Sequence, residues 1–122
     1  MPRAPWAIAA IAVAASLGLS SAGSAEPAAG AGVGTYDCAQ FNVDAATDAP
    51  TETLYLTWAQ GWMTGWNLAQ MDEGKPIHDL SQPPVPDQRA FLRDYCRKNP
   101  HELFMKAAYA LFASMPVVKA AP

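Results

Sequence analysis

The segment that most constrains the fold is residues 51–71, TETLYLTWAQGWMTGWNLAQM, which holds three of the four tryptophans of the chain. Trp58, Trp62 and Trp66 are spaced four residues apart, with two glycines between them. Residues four apart share one side of an α-helix, so this spacing predicts a long central helix. The indoles and glycines would form a flat groove into which a second helix packs. The residues predicted to pack there are Trp58, Gly61, Trp62 and Gly65.

The N-terminus is typical of a secretory signal peptide over residues 1–25. Arg3 precedes an apolar run at residues 6–19, and small residues follow up to a cleavage position after Ala25. The run is short for a membrane span, and an uncleaved anchor is the alternative interpretation. We therefore expect a periplasmic protein with no membrane insertion after cleavage.

The exported part retains both cysteines, Cys38 and Cys96. Two cysteines in an oxidising compartment most simply form a disulfide, and free thiols or a metal site are the alternatives. A closed loop of about 58 residues corresponds to roughly 4 kcal/mol in the chain-entropy model. Such a bond would be a large part of the stability of so small a domain.

Two further helices follow from apolar periodicity, one near residues 86–98 and one near residues 103–115. Residues 36–47 are compatible with a short helix, and no stretch alternates as an exposed strand does. The sequence thus predicts an all-α fold, a small disulfide-linked helical bundle of three main helices plus a short N-terminal helix. This domain covers residues 36–115, after a flexible lead-in at residues 26–35 and before a disordered tail at residues 116–122.

Charge and motifs restrict the function. Cleavage removes Arg3 and leaves seven Lys/Arg against eleven Asp/Glu, a net charge of −4 that disfavours nucleic acid as a partner. The two histidines lie in no haem, zinc or nucleophile motif, and no glycine loop for phosphate is present. We expect no enzyme activity, no cofactor and no metal.

Trp66 ends the tryptophan series, where the stripe drifts away from the predicted core face. It is either a core aromatic or part of a partner-binding surface, in which tryptophan is enriched. The proline-rich loop at residues 72–86 is the second region where we expect partner contacts. The partner-binding candidates are Trp66, Asn67, Ile77, His78 and Leu80.

Two arrangements carry a resemblance to known families. Cys38-Ala-Gln-Phe41 precedes the central helix, and Tyr95-Cys96-Arg-Lys-Asn-Pro100 opens the last one. This layout, over residues 36–115, resembles the small periplasmic helical proteins around the HdeA/HdeB acid-stress chaperones. It is also similar to the Tai/Rap-type immunity proteins of type VI secretion, although the further cysteines common in their central loop are missing here.

The resemblance implies that the partner is another protein. In the immunity interpretation the partner is a secreted toxin, and the loop and Trp66 make the contacts. In the chaperone interpretation it is an unfolded client, which binds after acid has loosened the helices. The sequence leaves the oligomeric state open.

Overall fold

A computed structural model of the protein describes residues 27–121, together with Pro2 and Gly18. The predicted signal peptide at residues 1–25 lies outside the described residues, apart from these two positions. The described chain is mostly helical, as predicted, but it also contains one small sheet. Its elements are α1 (Cys38–Thr47), α2 (Ala49–Asp72), β1 (Ile77–His78), α3 (Val85–Lys98), α4 (Phe104–Ser114) and β2 (Val117–Val118).

Aspartates begin the first two helices. Asp37 accepts a hydrogen bond from the Gln40 N–H at 2.7 Å, and Asp48 accepts one from the Thr51 N–H at 2.7 Å. These caps satisfy N–H groups that have no partner inside the helix. Within the part of the chain that is described, no helix is both long and apolar enough to cross a membrane.

The predicted disulfide is confirmed. Cys38 and Cys96 are bonded, and their Cα atoms lie 4.7 Å apart. Because both residues are fully buried, the bond joins the start of α1 to α3 inside the core. In the same core, Tyr55 donates a hydrogen bond to the Asp44 carboxylate at 2.5 Å. Burial, and then this bond to Asp44, raise the pKa of the Tyr55 hydroxyl well above its usual range.

The buried side of α2 differs from the predicted one. It consists of Tyr55, Ala59 and Met63, whereas Leu54, the residue before Tyr55, is 56% exposed. Ala59 is fully buried and belongs to the same core as the buried Ala107 and Ala108 of α4. Trp58 and Trp62 pack against the edge of this core and stay half-buried.

The predicted glycine groove receives no second helix. A Cβ atom added at Gly61 or Gly65 would meet no other atom within 4 Å, and both residues are exposed. The sequence correctly predicted that α2 is a helix, but the side of the helix predicted to face the core was wrong. Bulky indoles lie beside the core and cover it, while the smaller Tyr55–Met63 stripe points into it.

The proline-rich loop and the C-terminal segment form a small sheet that the sequence did not predict. β1 and β2 pair antiparallel, with Ile77 opposite Val118 and His78 opposite Val117. Each strand has two residues, which is too short for an alternating pattern to be read. The pairing brings part of residues 116–122, predicted as a disordered tail, onto the proline-rich loop.

Part of the segment predicted as a lead-in, residues 26–35, packs against α2. A 3₁₀ turn at Gly32–Thr35 covers Trp58, whose Nε1–H donates to the Ala31 carbonyl at 2.9 Å. Gly34 is buried against the indole, and a Cβ atom there would overlap the ring. Glycine is therefore required for this close approach.

Candidate protein-binding surface

Three aromatic side chains form a continuous surface between α2 and α4, which we call the aromatic surface: Trp62, Trp66 and Tyr109. Trp66 is 45% exposed and Tyr109 is 53% exposed, while Trp62 between them is half-buried. The ring centroids of Trp62 and Trp66 are 6.0 Å apart, and those of Trp62 and Tyr109 are 6.3 Å apart. These separations are typical of interacting aromatic pairs.

The aromatic surface rests on the buried ring of Phe112. Its centroid lies 5.8 Å from that of Trp62 and 6.3 Å from that of Trp66, with the rings nearly perpendicular in both pairs. Trp62 and Trp66 are one turn apart on α2, and Tyr109 and Phe112 are one turn apart on α4. Two rigid helices thus hold the exposed rings in place. This lowers the entropic cost of ordering these side chains when a partner binds.

Asn67 is buried and does not form part of the aromatic surface. Its side chain is only 8% exposed, and its amide forms two hydrogen bonds with the backbone of His78. Nδ2 donates to the His78 carbonyl at 2.7 Å, and Oδ1 accepts from the His78 N–H at 3.0 Å. The prediction of Asn67 as a partner contact is corrected: the amide is buried because it replaces a strand partner for β1.

His78 connects the loop to α4. Its Nδ1 lies 3.1 Å from the carbonyl oxygen of Met115, a hydrogen bond when the proton is on Nδ1, since a carbonyl only accepts. The imidazole also stacks on Phe112, with centroids 4.0 Å apart. Ile77, His78 and Leu80, the other predicted loop contacts, are all half-buried, so the loop offers a partner less surface than expected.

Gln88 holds the same loop from α3, a role that was not predicted from the sequence. It is 1% exposed, and its Nε2 donates to the carbonyls of Leu80 at 3.0 Å and Pro83 at 2.8 Å. A signal was available, because Gln88 precedes the buried Leu92 and Cys96 at four-residue spacing. A polar residue on an apolar stripe indicates a buried hydrogen-bonding role.

Glu52 is a second buried polar residue that was missed. It is 4% exposed and accepts a hydrogen bond from Arg93 at 2.6 Å, while Arg89 lies 3.8 Å away. The bond to Glu52 raises the pKa of the Arg93 guanidinium above its ordinary value. Glu52 Oε1 has no hydrogen-bond partner among the described residues. The group links α2 to α3 and contains no nucleophile or second acid.

Two cavities lie beside the groups described above. The cleft between α1 and α3, about 600 Å³, is lined by Arg93 and Arg97, whose charges are already paired with Glu52 and Asp94. In the described part of the chain, no three His, Cys, Asp or Glu side chains come close enough to hold a metal ion. A smaller cavity of about 230 Å³ lies at the aromatic surface; its walls are Trp62, Met105, Lys106 and Tyr109.

Comparison with known proteins finds no matching family model, no matching curated protein and no matching solved structure. The resemblance to the HdeA/HdeB and Tai/Rap proteins therefore stays a prediction.

Proposed function

We propose that this protein is a non-enzymatic periplasmic protein-binding module, most like a secretion-effector immunity protein of the Tai/Rap type. Its partner is another protein, which binds at the aromatic surface. The observation that carries this proposal is the pair of exposed rings, Trp66 and Tyr109, fixed on a rigid base.

Burial of Trp and Tyr side chains supplies much of the binding energy of protein interfaces. A tryptophan left 45% exposed in the free protein is costly to solvate, and a partner that covers Trp66 recovers that cost. Phe112 lies beneath the Trp66 ring, and His78, which is held by Asn67, stacks on Phe112. A preformed surface of this kind suits a protein that must bind one partner quickly and tightly.

The cavity beside Trp62 favours a protein partner over a small ligand. Its volume, about 230 Å³, is below the roughly 300–1,000 Å³ that is usual for small-molecule pockets. It is large enough for one apolar side chain of a partner. Lys106 at its edge favours an acidic neighbour next to that side chain.

The proposal is tested with the exported toxins or other envelope proteins that are encoded beside the gene for this chain. Each is co-expressed with the chain in the periplasm of a host, and growth rescue and complex formation are measured. We expect one of them to bind stoichiometrically, and Trp66→Ala to weaken binding by about 2 kcal/mol, roughly 30-fold. Calorimetric titration of the purified partner gives this number.

The matched control is Val43→Ala on α1, which removes an apolar side chain that is 63% exposed, far from Trp66 in sequence and on another helix. It should leave the affinity unchanged. If no neighbouring gene product binds, or if a folded Trp66→Ala variant binds as well as the parent, the immunity proposal is wrong.

A second candidate function is an acid-activated periplasmic chaperone of the HdeA/HdeB type. The observation that favours it is a set of exposed carboxylates with lowered pKa values, each held by a local hydrogen bond: Asp48 by Thr51, Asp79 by Ser81 and Asp94 chiefly by Lys98. A lowered pKa means that each bond stabilises the fold above the ordinary value of 3.8 and is lost as the pH falls through the folded value.

Acid would also leave nine positive charges, from seven Lys/Arg and two His, with no carboxylates to balance them. Repulsion would then loosen the helices and uncover the aromatic core. Tryptophan fluorescence, dye binding to exposed apolar surface and suppression of client aggregation, followed from neutral pH to about pH 2, test this function. A chain that stays folded in acid and protects no client excludes it.

A further inference from the structure

The basic side chains of residues 26–122 are concentrated on α3. This part of the chain contains seven Lys/Arg against eleven Asp/Glu, and four of the seven basic residues lie on that one helix: Arg89, Arg93, Arg97 and Lys98. The three arginines are spaced four residues apart, so they follow one side of the helix. A chain that is acidic as a whole therefore carries a positive stripe along α3.

The buried carboxylate of Glu52 balances only one of the two arginines beside it. Arg93 donates to Glu52 Oε2 at 2.6 Å, and a nitrogen of Arg89 lies 3.8 Å from the same oxygen. Glu52 Oε1 has no partner among the described residues, so Arg93 is held through one oxygen and not through a two-bond fork. The Arg93 side chain is 57% exposed and uses one guanidinium nitrogen for this bond, which leaves further N–H donors for a second anion.

Asp94 is shared in the same way, one turn further along α3. It accepts a hydrogen bond from Lys98 at 2.6 Å and another from Arg97, whose side chain is 71% exposed. Each of these two acids thus serves two cations, and one positive charge remains unbalanced at each. Arg93 and Arg97 are four residues apart, which separates them by about 6 Å along the helix axis.

These unbalanced charges lie beside the cleft between α1 and α3. Arg93 and Arg97 are part of its lining, and its volume of about 600 Å³ lies within the roughly 300–1,000 Å³ of binding pockets. Of the acidic side chains in the described part of the chain, Asp94 is the one that lines it. Its apolar lining consists of Phe41, Ala45, Ala46 and Ala90. The cleft thus combines two guanidinium groups with apolar surface.

We propose that this cleft binds an acidic segment of another protein, in which two carboxylates about one helical turn apart accompany an apolar side chain. The carboxylates accept hydrogen bonds from Arg93 and Arg97, through N–H groups that the bonds to Glu52 and Asp94 leave over. The apolar side chain enters the cleft. Binding then neutralises the positive charge that remains at both positions.

The lining favours a protein segment over a free anion. Inorganic phosphate would pair with the arginines but would leave the apolar part of the cleft in water, whereas a peptide side chain covers it. The separation of about 6 Å between the arginines also matches carboxylates four residues apart on a helix, or two residues apart on a strand. The cleft lies between α1 and α3, while the aromatic surface lies between α2 and α4, so this inference does not depend on the proposed function.

NMR titration of the isotope-labelled protein with two terminally blocked peptides tests the proposal. One peptide is helical, with glutamates four residues apart and a leucine on the same side; the other is extended, with glutamates two residues apart. We expect one of them to give saturable shifts at the residues that line the cleft. The same peptide with glutamine in place of glutamate should bind about tenfold more weakly or worse. Inorganic phosphate at matched ionic strength should not displace the acidic peptide.

Arg97→Gln should weaken binding of the acidic peptide by about fivefold, because one exposed charge pair is lost. Lys75→Gln is the matched control: it removes the same charge from another exposed side chain that is paired with a carboxylate, Glu73, away from the cleft. It should leave the affinity unchanged. Ala46→Leu should also weaken binding, since Ala46 is exposed and a larger side chain there fills the cleft without changing the charge.

Trp66→Ala should leave binding of the acidic peptide unchanged, which separates this cleft from the aromatic surface. Circular dichroism establishes that each variant is folded. The proposal is overturned if neither acidic peptide binds saturably, or if the glutamine peptide binds equally well. Displacement of the peptide by phosphate, or equal effects of Arg97→Gln and Lys75→Gln, would show attraction between charges without a binding site and would also overturn it.

Discussion

Trp58 and Trp66 lie two turns apart on α2, and the molecule surrounds them differently. Trp58 is covered by the turn at Gly32–Thr35, its Nε1–H bonds to Ala31, and its ring centroid lies 6.3 Å from that of Phe104. Trp66 has Phe112 beneath it and Trp62 beside it, but its outer side is 45% exposed. The same residue type thus closes the core in one half of the helix and forms surface in the other.

The difference arises from what the chain provides to cover each ring. A glycine-containing segment precedes α1 and fits against Trp58, because Gly34 leaves room for the indole. In the other half of α2, the corresponding segment is the β1–β2 pair. The His78 ring of β1 stacks on Phe112, and not on the Trp66 indole. Exposure of Trp66 is therefore a property of the fold and not of the tryptophan spacing.

The largest effect is expected from removing the disulfide between Cys38 and Cys96, which joins α1 to α3. Replacing Cys38 and Cys96 by alanine should lower the free energy of unfolding by about 4 kcal/mol, because the unfolded chain regains the freedom of a loop of 58 residues. Urea denaturation of the variant and the parent measures this loss. A difference below about 1 kcal/mol would mean that α1 is held to α3 mainly by packing.

The next effect compares the two tryptophans directly. Trp58→Ala should lower the free energy of unfolding by about 3 kcal/mol, since it removes a ring that packs against the core and leaves a cavity under the covering turn. Trp66→Ala should cost about 1 kcal/mol or less, because nearly half of its ring is already in water. Equal losses in thermal or urea denaturation would contradict the distinction between a covering and a surface tryptophan.

Much of this architecture could be predicted from local signals. The helical type of α2 follows from its length and four-residue spacing. The Cys38–Cys96 bond follows from having two cysteines in a chain that is predicted to be exported. The side of α2 that faces the core could not be predicted in the same way. Tryptophans and glycines suggested one packing face, but Tyr55, Ala59 and Met63 form it. Both stripes have a helical period, and only the partner helices decide between them.

The candidate surface was predictable in part. Trp66 stands out by its position at the end of the stripe, but Tyr109 reaches the same surface from α4, which no spacing within one helix indicates. Asn67 was predicted as a partner contact, yet it is buried and forms two hydrogen bonds with the backbone of His78. Long-range pairing of this kind depends on the path of the loop, so the sequence alone does not reveal it.

A smaller effect is expected at Gly34, where the covering turn meets Trp58. Gly34→Ala should lower the free energy of unfolding by about 2 kcal/mol, because its Cβ atom overlaps the indole and pushes the turn away. Trp58 emission should then shift towards that of a solvated indole. Gly61→Ala is the matched control, since its Cβ atom meets nothing and should stabilise α2 by up to about 1 kcal/mol. Equal losses in both variants would show that Gly34 is not a packing position.

The smallest effect concerns the pH dependence of stability at the N-terminus of α2, on the Trp58 side of that helix. The pKa of Asp48 is lowered from its ordinary value of 3.8 mainly by the backbone hydrogen bond from Thr51. A group whose pKa is lower in the folded state stabilises the fold above its unfolded pKa, and this contribution is lost as the pH falls through the folded value. Urea midpoints measured between neutral pH and about pH 2 should therefore fall below pH 4.

Asp48→Asn separates this contribution from those of the other carboxylates. Asparagine caps a helix about as well as aspartate but does not titrate, so the variant should lose less stability on acidification than the parent. Both proteins should have similar midpoints at the acidic end of the series, where the Asp48 carboxylate is protonated. An unchanged pH dependence would mean that acid acts on α2 through groups other than Asp48.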